Sequence, residues 1–240
     1  MIRENLIMAL PSDKFDQRPY LNLIEDLGPI RIFEVDGKWV RKHLNREMTN
    51  WAQGKDPRFK EVIPQNEFWV DTGFNPDELQ FFIDNMLTQW YLLGRGYSRE
   101  YAEREGTKVE TRERQNARLE RGEYKDPHID PKIKLLKRVN DIEIWLVDGK
   151  KIRDHIMPQF TAGGHYLCYP AFIKPKEIWI DNTLIMNDWK FAILHEIHEH
   201  NNMQIGKIYK EAHSLASRAE WQCRHDPQEL LRQQKQLGLI

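Results

Sequence analysis

The chain has 240 residues, 40% of them hydrophobic, with 36 Lys and Arg against 37 Asp and Glu for a formal net charge of −1. No apolar run approaches the roughly 18 residues that span a bilayer, the balanced charge carries no nucleic-acid signal, and two cysteines, Cys168 and Cys223, exclude a disulfide framework or a four-cysteine zinc site. Length permits one large domain or two of about 110 residues.

Residues 1–29 read as a lead-in. Their opening, MIRENLIMALPSDKF, has an apolar stretch too short and too close to acidic residues for a secretion signal, which points to an intracellular protein in the cytoplasm. Tyr20, Leu21, Leu23 and Ile24 are expected to pack against the first lobe. From residue 30 a pattern begins that is written twice, over 30–121 and again over 136–240, with 122–135 as the linker between. Val35, Asp36, Gly37, Lys38, Arg41 and His43 return as Val147, Asp148, Gly149, Lys150, Arg153 and His155. Glu67, Trp69, Asp71, Phe81 and Ile83 return as Glu177, Trp179, Asp181, Phe191 and Ile193, and Gly94 and Tyr97 as Gly206 and Tyr209.

In each copy an apolar stretch meets an Asp-Gly pair and resumes, the pattern of a tight hairpin between strands. After a proline-marked loop comes a short strand, EFWVD in the first copy and EIWID in the second. A long helix is next. In the second copy Asn187 or Asp188 can cap it, and Gly206 can stop it. A returning helix spans about Tyr209 to Arg224, and a last polar helix Gln228 to Gln236. The first copy ends in a charged run, Arg99 to Arg121, which reads as a solvated helix. The fold class expected is α+β: two related lobes from an internal duplication, each a small antiparallel sheet followed by a helical hairpin.

A shared scaffold accounts for shared residues, so chemistry is sought where the copies differ. His195, Glu196 and Glu199 stand where the first copy has Asn85, Met86 and Gln89. An isolated His-Glu pair is most often surface, but helical spacing makes this one converge with others. His195 and Glu199 share a helix face, and Tyr209, His213 and Glu220 lie on one stripe of the returning helix. Folding back at Gly206 brings His213 opposite Glu199 and Glu220 near His195. The expected ligand set for a divalent metal is therefore His195, Glu199, His213 and Glu220, with zinc ahead of iron or manganese. Glu196, displaced by about 100° around the axis, is placed to take a proton from metal-bound water. His198 is a substitute ligand, while His200 and Tyr209 read as packing residues, as do Arg153 and His155, which recur in the copy without ligands. His165, after Gly163–Gly164, can orient substrate or polarise a carbonyl; the alternative is an exposed histidine on a hairpin turn.

The segment ILHEIHEH resembles the active helix of the zincin metallopeptidases, whose signature is HExxH with a third ligand downstream. The resemblance covers about the last 100 residues. It implies that His195 is a ligand, Glu196 the general base, and His213 or Glu220 the downstream ligand. Glu199 replaces the second motif histidine; carboxylate is a legitimate zinc ligand, but the change makes a harder metal more plausible. The paired pattern around VDG, EIWID and the helix also resembles uncharacterised proteins of tailed phages, which implies a host cytoplasm or a virion as the location. The function expected is a metal-dependent hydrolase acting on a peptide or another carbonyl substrate. The rival is a structural or interaction protein of a phage particle, binding a protein partner or itself, with a stabilising metal site or only a polar network. A di-iron carboxylate oxidase is disfavoured, because neither helix of the hairpin carries a Glu-x-x-His pair.

Overall fold

In the computed structural model, which describes residues 19–126, 128–184 and 186–240, one order of elements occurs in each half of the chain. The N-terminal apolar stretch lies outside the described residues. The first half runs β1 (Tyr20–Asp26), β2 (Arg31–Val35), α1 (Gly37–His43), β3 (Trp51–Gln53), β4 (Glu67–Asp71), a one-turn 3-10 helix at Pro76–Glu78, α2 (Leu79–Gly94) and α3 (Arg99–Glu120). The second runs β5 (Lys132–Val139), β6 (Ile142–Val147), α4 (Gly149–His155), β7 (Gly163–His165), β8 (Glu177–Asp181), a 3-10 turn at Met186–Asp188, α5 (Trp189–Gln204), α6 (Tyr209–His225) and α7 (Pro227–Gln236). The class is α+β. Among the described residues no helix is long and apolar enough to cross a membrane.

Each sheet has four strands, ordered β1-β2-β4-β3 and β5-β6-β8-β7. They are mixed rather than antiparallel, because the central pairs β2–β4 and β6–β8 run parallel. The cause lies in the Asp-Gly pairs. Asp36 accepts a hydrogen bond from the Trp39 backbone N–H at 2.9 Å and Asp148 one from Lys151 at 3.0 Å. Each aspartate thus caps a short helix instead of turning a hairpin. That helix carries the chain away from the sheet, so the later central strand enters in the same direction. Gly37 and Gly149 are needed for close approach: a β-carbon there would collide with the carboxylates of Asp71 and Asp181.

Both faces of each sheet are covered, which is why β4 and β8 are buried along their whole length. In the first half Phe33 and Trp69 pack with Val40, Phe59 and Ile63, while Ile32, Phe68 and Val70 pack against Phe82, Ile83 and Met86 of α2. In the second half Trp179 packs with Ile152, Phe160 and Ile173, and Ile144, Ile178 and Ile180 pack against Ile197 of α5. In β1, Tyr20 packs edge-on to Phe33 and Trp69, but Leu21 and Leu23 project to solvent.

The halves are joined by a reciprocal pair of buried ion networks. Arg41 of α1 binds Asp71 of its own half and Asp188 of the other, each at 2.6 Å. Arg153 of α4 does the same in reverse, binding Asp181 of its own half and Glu78 of the other, the latter at 2.7 Å. The charged run of α3 is therefore only partly solvated. Arg114 is fully buried, 2.8 Å from both Glu78 and Asp154, and Arg118 is buried as well. Sequence periodicity shows a charged face; it does not show that acids from another element await it.

Candidate metal centre

Helices α5 and α6 form a hairpin that turns at Gly206, whose φ of 92° no L-residue adopts readily. Their facing sides bring together His195 and Glu199 of α5 with His213 of α6. His213 Nδ1 lies 2.7 Å from Glu199 Oε2 and 3.2 Å from His195 Nε2, and His195 Nε2 lies 3.6 Å from the same carboxylate oxygen. Bonds of 2.0–2.1 Å around a tetrahedral ion separate neighbouring ligand atoms by about 3.3 Å. The three separations, 2.7, 3.2 and 3.6 Å, bracket that spacing.

The opposite ring nitrogens are equally well placed. His195 Nδ1 sits 2.9 Å from Glu220 Oε2, and His213 Nε2 sits 3.1 Å from Glu47 Oε2. A carboxylate on the far nitrogen fixes the tautomer and raises the basicity of a ligating imidazole. Glu220 is thus behind His195, not on the face His195 shares with Glu199 and His213. It is itself held by Arg224 at 2.8 Å, and Arg224 binds Asp188, the residue Arg41 grips from the other half. Asp188 stands at the N-terminal boundary of α5 but makes no side-chain cap; its carboxylate is committed to these arginines. Glu47 comes from the turn after α1, where the Asn45 side chain accepts its backbone N–H at 2.8 Å.

A second cluster meets the other oxygen of Glu199. His165 is fully buried on β7, paired in register with Ile178 of β8, and its Nε2 lies 3.1 Å from Glu199 Oε1. The exposed-turn alternative for His165 is overturned: the glycines before it form an edge strand. A β-carbon on Gly164 would enter the Tyr169 ring, and one on Gly163 would touch Glu196 Oε1 at 3.3 Å. Cys168 Sγ lies 3.0 Å from Glu199 Oε1 and 3.4 Å from His165 Nε2. Cys168 and Glu47 are site residues that sequence reasoning missed; the His-x-x-Cys spacing was the available signal for the first, and none existed for the second.

Electrostatics follow from burial and these contacts. Desolvation lifts the Glu196 carboxyl to about 7, helped by the charge of Glu199. Its Oε2 is buried with no hydrogen-bond partner among the described residues. Burial also works against ionised Glu199, but hydrogen bonds from His165, His195 and His213 outweigh it and hold that carboxyl far below the usual range. Bonds to Glu199 and Glu47 raise His213 to about 9. His195, although desolvated, is held well above its ordinary value by Glu199 and Glu220. The His213 bond lowers Glu47 to about 2. These groups line a cavity of about 580 Å³ walled by both halves, with Arg41, Glu47 and Arg58 on one side and Gly163, Glu196 and Tyr209 on the other.

The remaining histidines of the α5 segment point away from Glu199's other partners, His195 and His213. His198 Nε2 faces Gln233 of α7 at 3.0 Å, and His200 is buried edge-on to His165. Tyr209 stacks on His213.

The N-terminal half supplies an internal control. Asn85 donates to Glu110 at 2.5 Å, Gln89 to Asn85 at 2.7 Å, and Arg114 to Glu110 at 2.9 Å. The same wiring exists there in amide form, without imidazole or a free carboxylate pair. No family model matches the chain, and neither the curated proteins nor the solved structures provide a match.

Proposed function

We propose that the chain is a metal-dependent hydrolase of zincin-like design, acting on a peptide or another carbonyl substrate, with zinc the first candidate ion and iron or manganese the alternatives. His195, Glu199 and His213 are its ligands. One observation carries this reading: both histidines aim one nitrogen at a common point with Glu199 and rest the other on a carboxylate, Glu220 or Glu47.

A bound divalent ion acidifies water and polarises a carbonyl. The protein's part is proton handling and positioning. Glu196, at about 7, is poised to accept a proton near neutrality and pass it to a leaving group. Glu196 and Gly163 line the cavity side by side, with Glu196 Oε1 3.3 Å from where a β-carbon on Gly163 would stand. β7 is the outer strand of its sheet, so an extended peptide can lie along it within reach of Glu196. In this reading the N-terminal half is an internal duplicate that has lost the ligands and serves the site by lending Glu47.

The rival reading has its own support. Glu199 already accepts from His165, His213 and Cys168, so the cluster can close as a purely polar network in a structural or assembly protein. Metal analysis of the purified chain, joined to casein and generic ester assays with and without chelator, separates the two. The proposal expects at least one equivalent of metal, chelator-sensitive hydrolysis, and a Glu196→Gln variant that keeps metal but loses turnover. A metal-free preparation that takes up no added zinc refutes it, and tightly held metal without hydrolysis favours the structural role.

A further inference from the structure

Glu199 turns its two oxygens to two different sets of donors. Oε2 faces His195 and His213. Oε1 faces His165 Nε2 at 3.1 Å and Cys168 Sγ at 3.0 Å, and those two atoms lie 3.4 Å apart. For an ion bonded to nitrogen and oxygen at about 2.05 Å and to sulfur at about 2.3 Å, tetrahedral edges are about 3.3–3.6 Å. The three separations, 3.0, 3.1 and 3.4 Å, fall within about 0.6 Å of that triangle.

We propose that His165, Cys168 and Glu199 hold a second divalent ion, so that the centre is dinuclear with the Glu199 carboxylate bridging its ions. This rests on the proposed ion at His195, Glu199 and His213 and adds to it. Each ion then has three protein donors, with Glu199 counted in both, and each keeps an open position for water or substrate.

Three observations support the second position. His165 is fully buried and turns Nε2 to both Glu199 and Cys168. In the N-terminal half the structurally matching residues are Gln53 and Asp56: Gln53 pairs with Phe68 as His165 does with Ile178, and the Asp56 N–H bonds back to the Gln53 carbonyl as that of Cys168 does to His165. There Gln53 only accepts a turn N–H from Lys55 and Asp56 pairs with Arg58. The ligand-bearing half thus differs at both positions, as well as at Glu199. Finally, imidazole with thiolate is a borderline-soft donor set that suits zinc and disfavours manganese or magnesium. The thiolate therefore favours zinc at the second position. On loading, the Cys168 thiol proton passes to solvent as the sulfur–metal bond forms.

Cobalt(II) titration of the metal-free full chain, followed by visible and near-ultraviolet absorption, tests this. The expected result is two equivalents bound, with a thiolate-to-cobalt charge-transfer band belonging to one of them. Cys168→Ser should bind one equivalent and lose that band while keeping the weaker visible bands of the histidine site. Should that variant fold poorly by circular dichroism, His165→Gln, the residue type of the other half, gives the same expectation of one equivalent. A wild-type end point of one equivalent without the charge-transfer band overturns the second site and leaves the first intact. One equivalent with the band, surviving in His213→Ala, overturns both the dinuclear centre and the histidine site. No binding at all overturns both.

Discussion

Glu47 and His213 are 166 residues apart in sequence and 3.1 Å apart in space, and their contact is where the N-terminal half enters the candidate centre. The carboxylate supports the ring nitrogen that a metal would not use. Replacing Glu47 with Gln keeps shape and a hydrogen-bond acceptor but removes the charge, so metal affinity should fall by about 10–100-fold with the fold intact. Competition against a chromophoric chelator measures this. An unchanged affinity would reduce Glu47 to a rim residue.

The amide wiring of the first half supplies a conservative way to erase the site. His195→Asn combined with Glu199→Gln recreates the relay in which Gln89 donates to Asn85 and Asn85 to Glu110, with Glu220 in the place of Glu110. The double variant should fold, with a Tm near that of the metal-free wild type, and should retain no metal at His195 and His213. Collapse of the fold instead would show that the imidazoles are needed for packing.

How far this was legible in sequence depends on the range of the interaction. The helices α2, α3, α5, α6 and α7 and the turn at Gly206 follow from local periodicity and stop signals, and the convergence of His195, Glu199 and His213 follows from those; the short helices α1 and α4 do not. The Asp-Gly pairs mislead toward a hairpin, because the same dipeptide serves a hairpin turn and a helix cap, and here it caps. That choice fixes whether β2 and β4 run parallel. Arg114 and Arg153 looked like surface charge and scaffold because their partners, Asp154 and Glu78, come from the other half of the chain. Glu47 escaped for the same reason, whereas Glu220 was correctly drawn to His195 but on its far side.

Glu196 carries a stability cost that depends on pH. Its folded-state value of about 7 exceeds its ordinary 4.5, so the folded state binds its proton more tightly than the unfolded chain does. The associated stability is present below 4.5 and is lost as pH rises through 7. In the metal-free protein Glu196→Gln should therefore gain stability at pH 8, by roughly 1–3 kcal/mol, much less at pH 5, and nothing below pH 4. Thermal unfolding across that range checks the trend. A gain that is flat with pH would mean that Glu196 is not the titrating group.

Arg153 and Glu78 offer a test of what joins the halves, away from the metal ligands. Both are fully buried, and Arg153 also binds Asp181 and the Phe160 carbonyl. Removing one partner of a buried pair costs about 3–5 kcal/mol, because a charge stays behind without its counter-ion. Arg114 remains 2.8 Å from Glu78 in an Arg153→Met variant, but the buried Asp181 loses its arginine, so the loss should fall within that range, about 3–5 kcal/mol. The sign of its pH dependence is fixed. Despite burial, Arg153 and Arg114 hold Glu78 below its ordinary value, so its contribution is present above 4.5 and lost as pH falls through the lower folded-state value. Without Arg153 that advantage shrinks, and the deficit relative to wild type should be largest at neutral pH and smaller near pH 4. Urea denaturation at both pH values reads this directly. A deficit that does not change with pH would trace the destabilisation to lost packing around the guanidinium instead of to its charge.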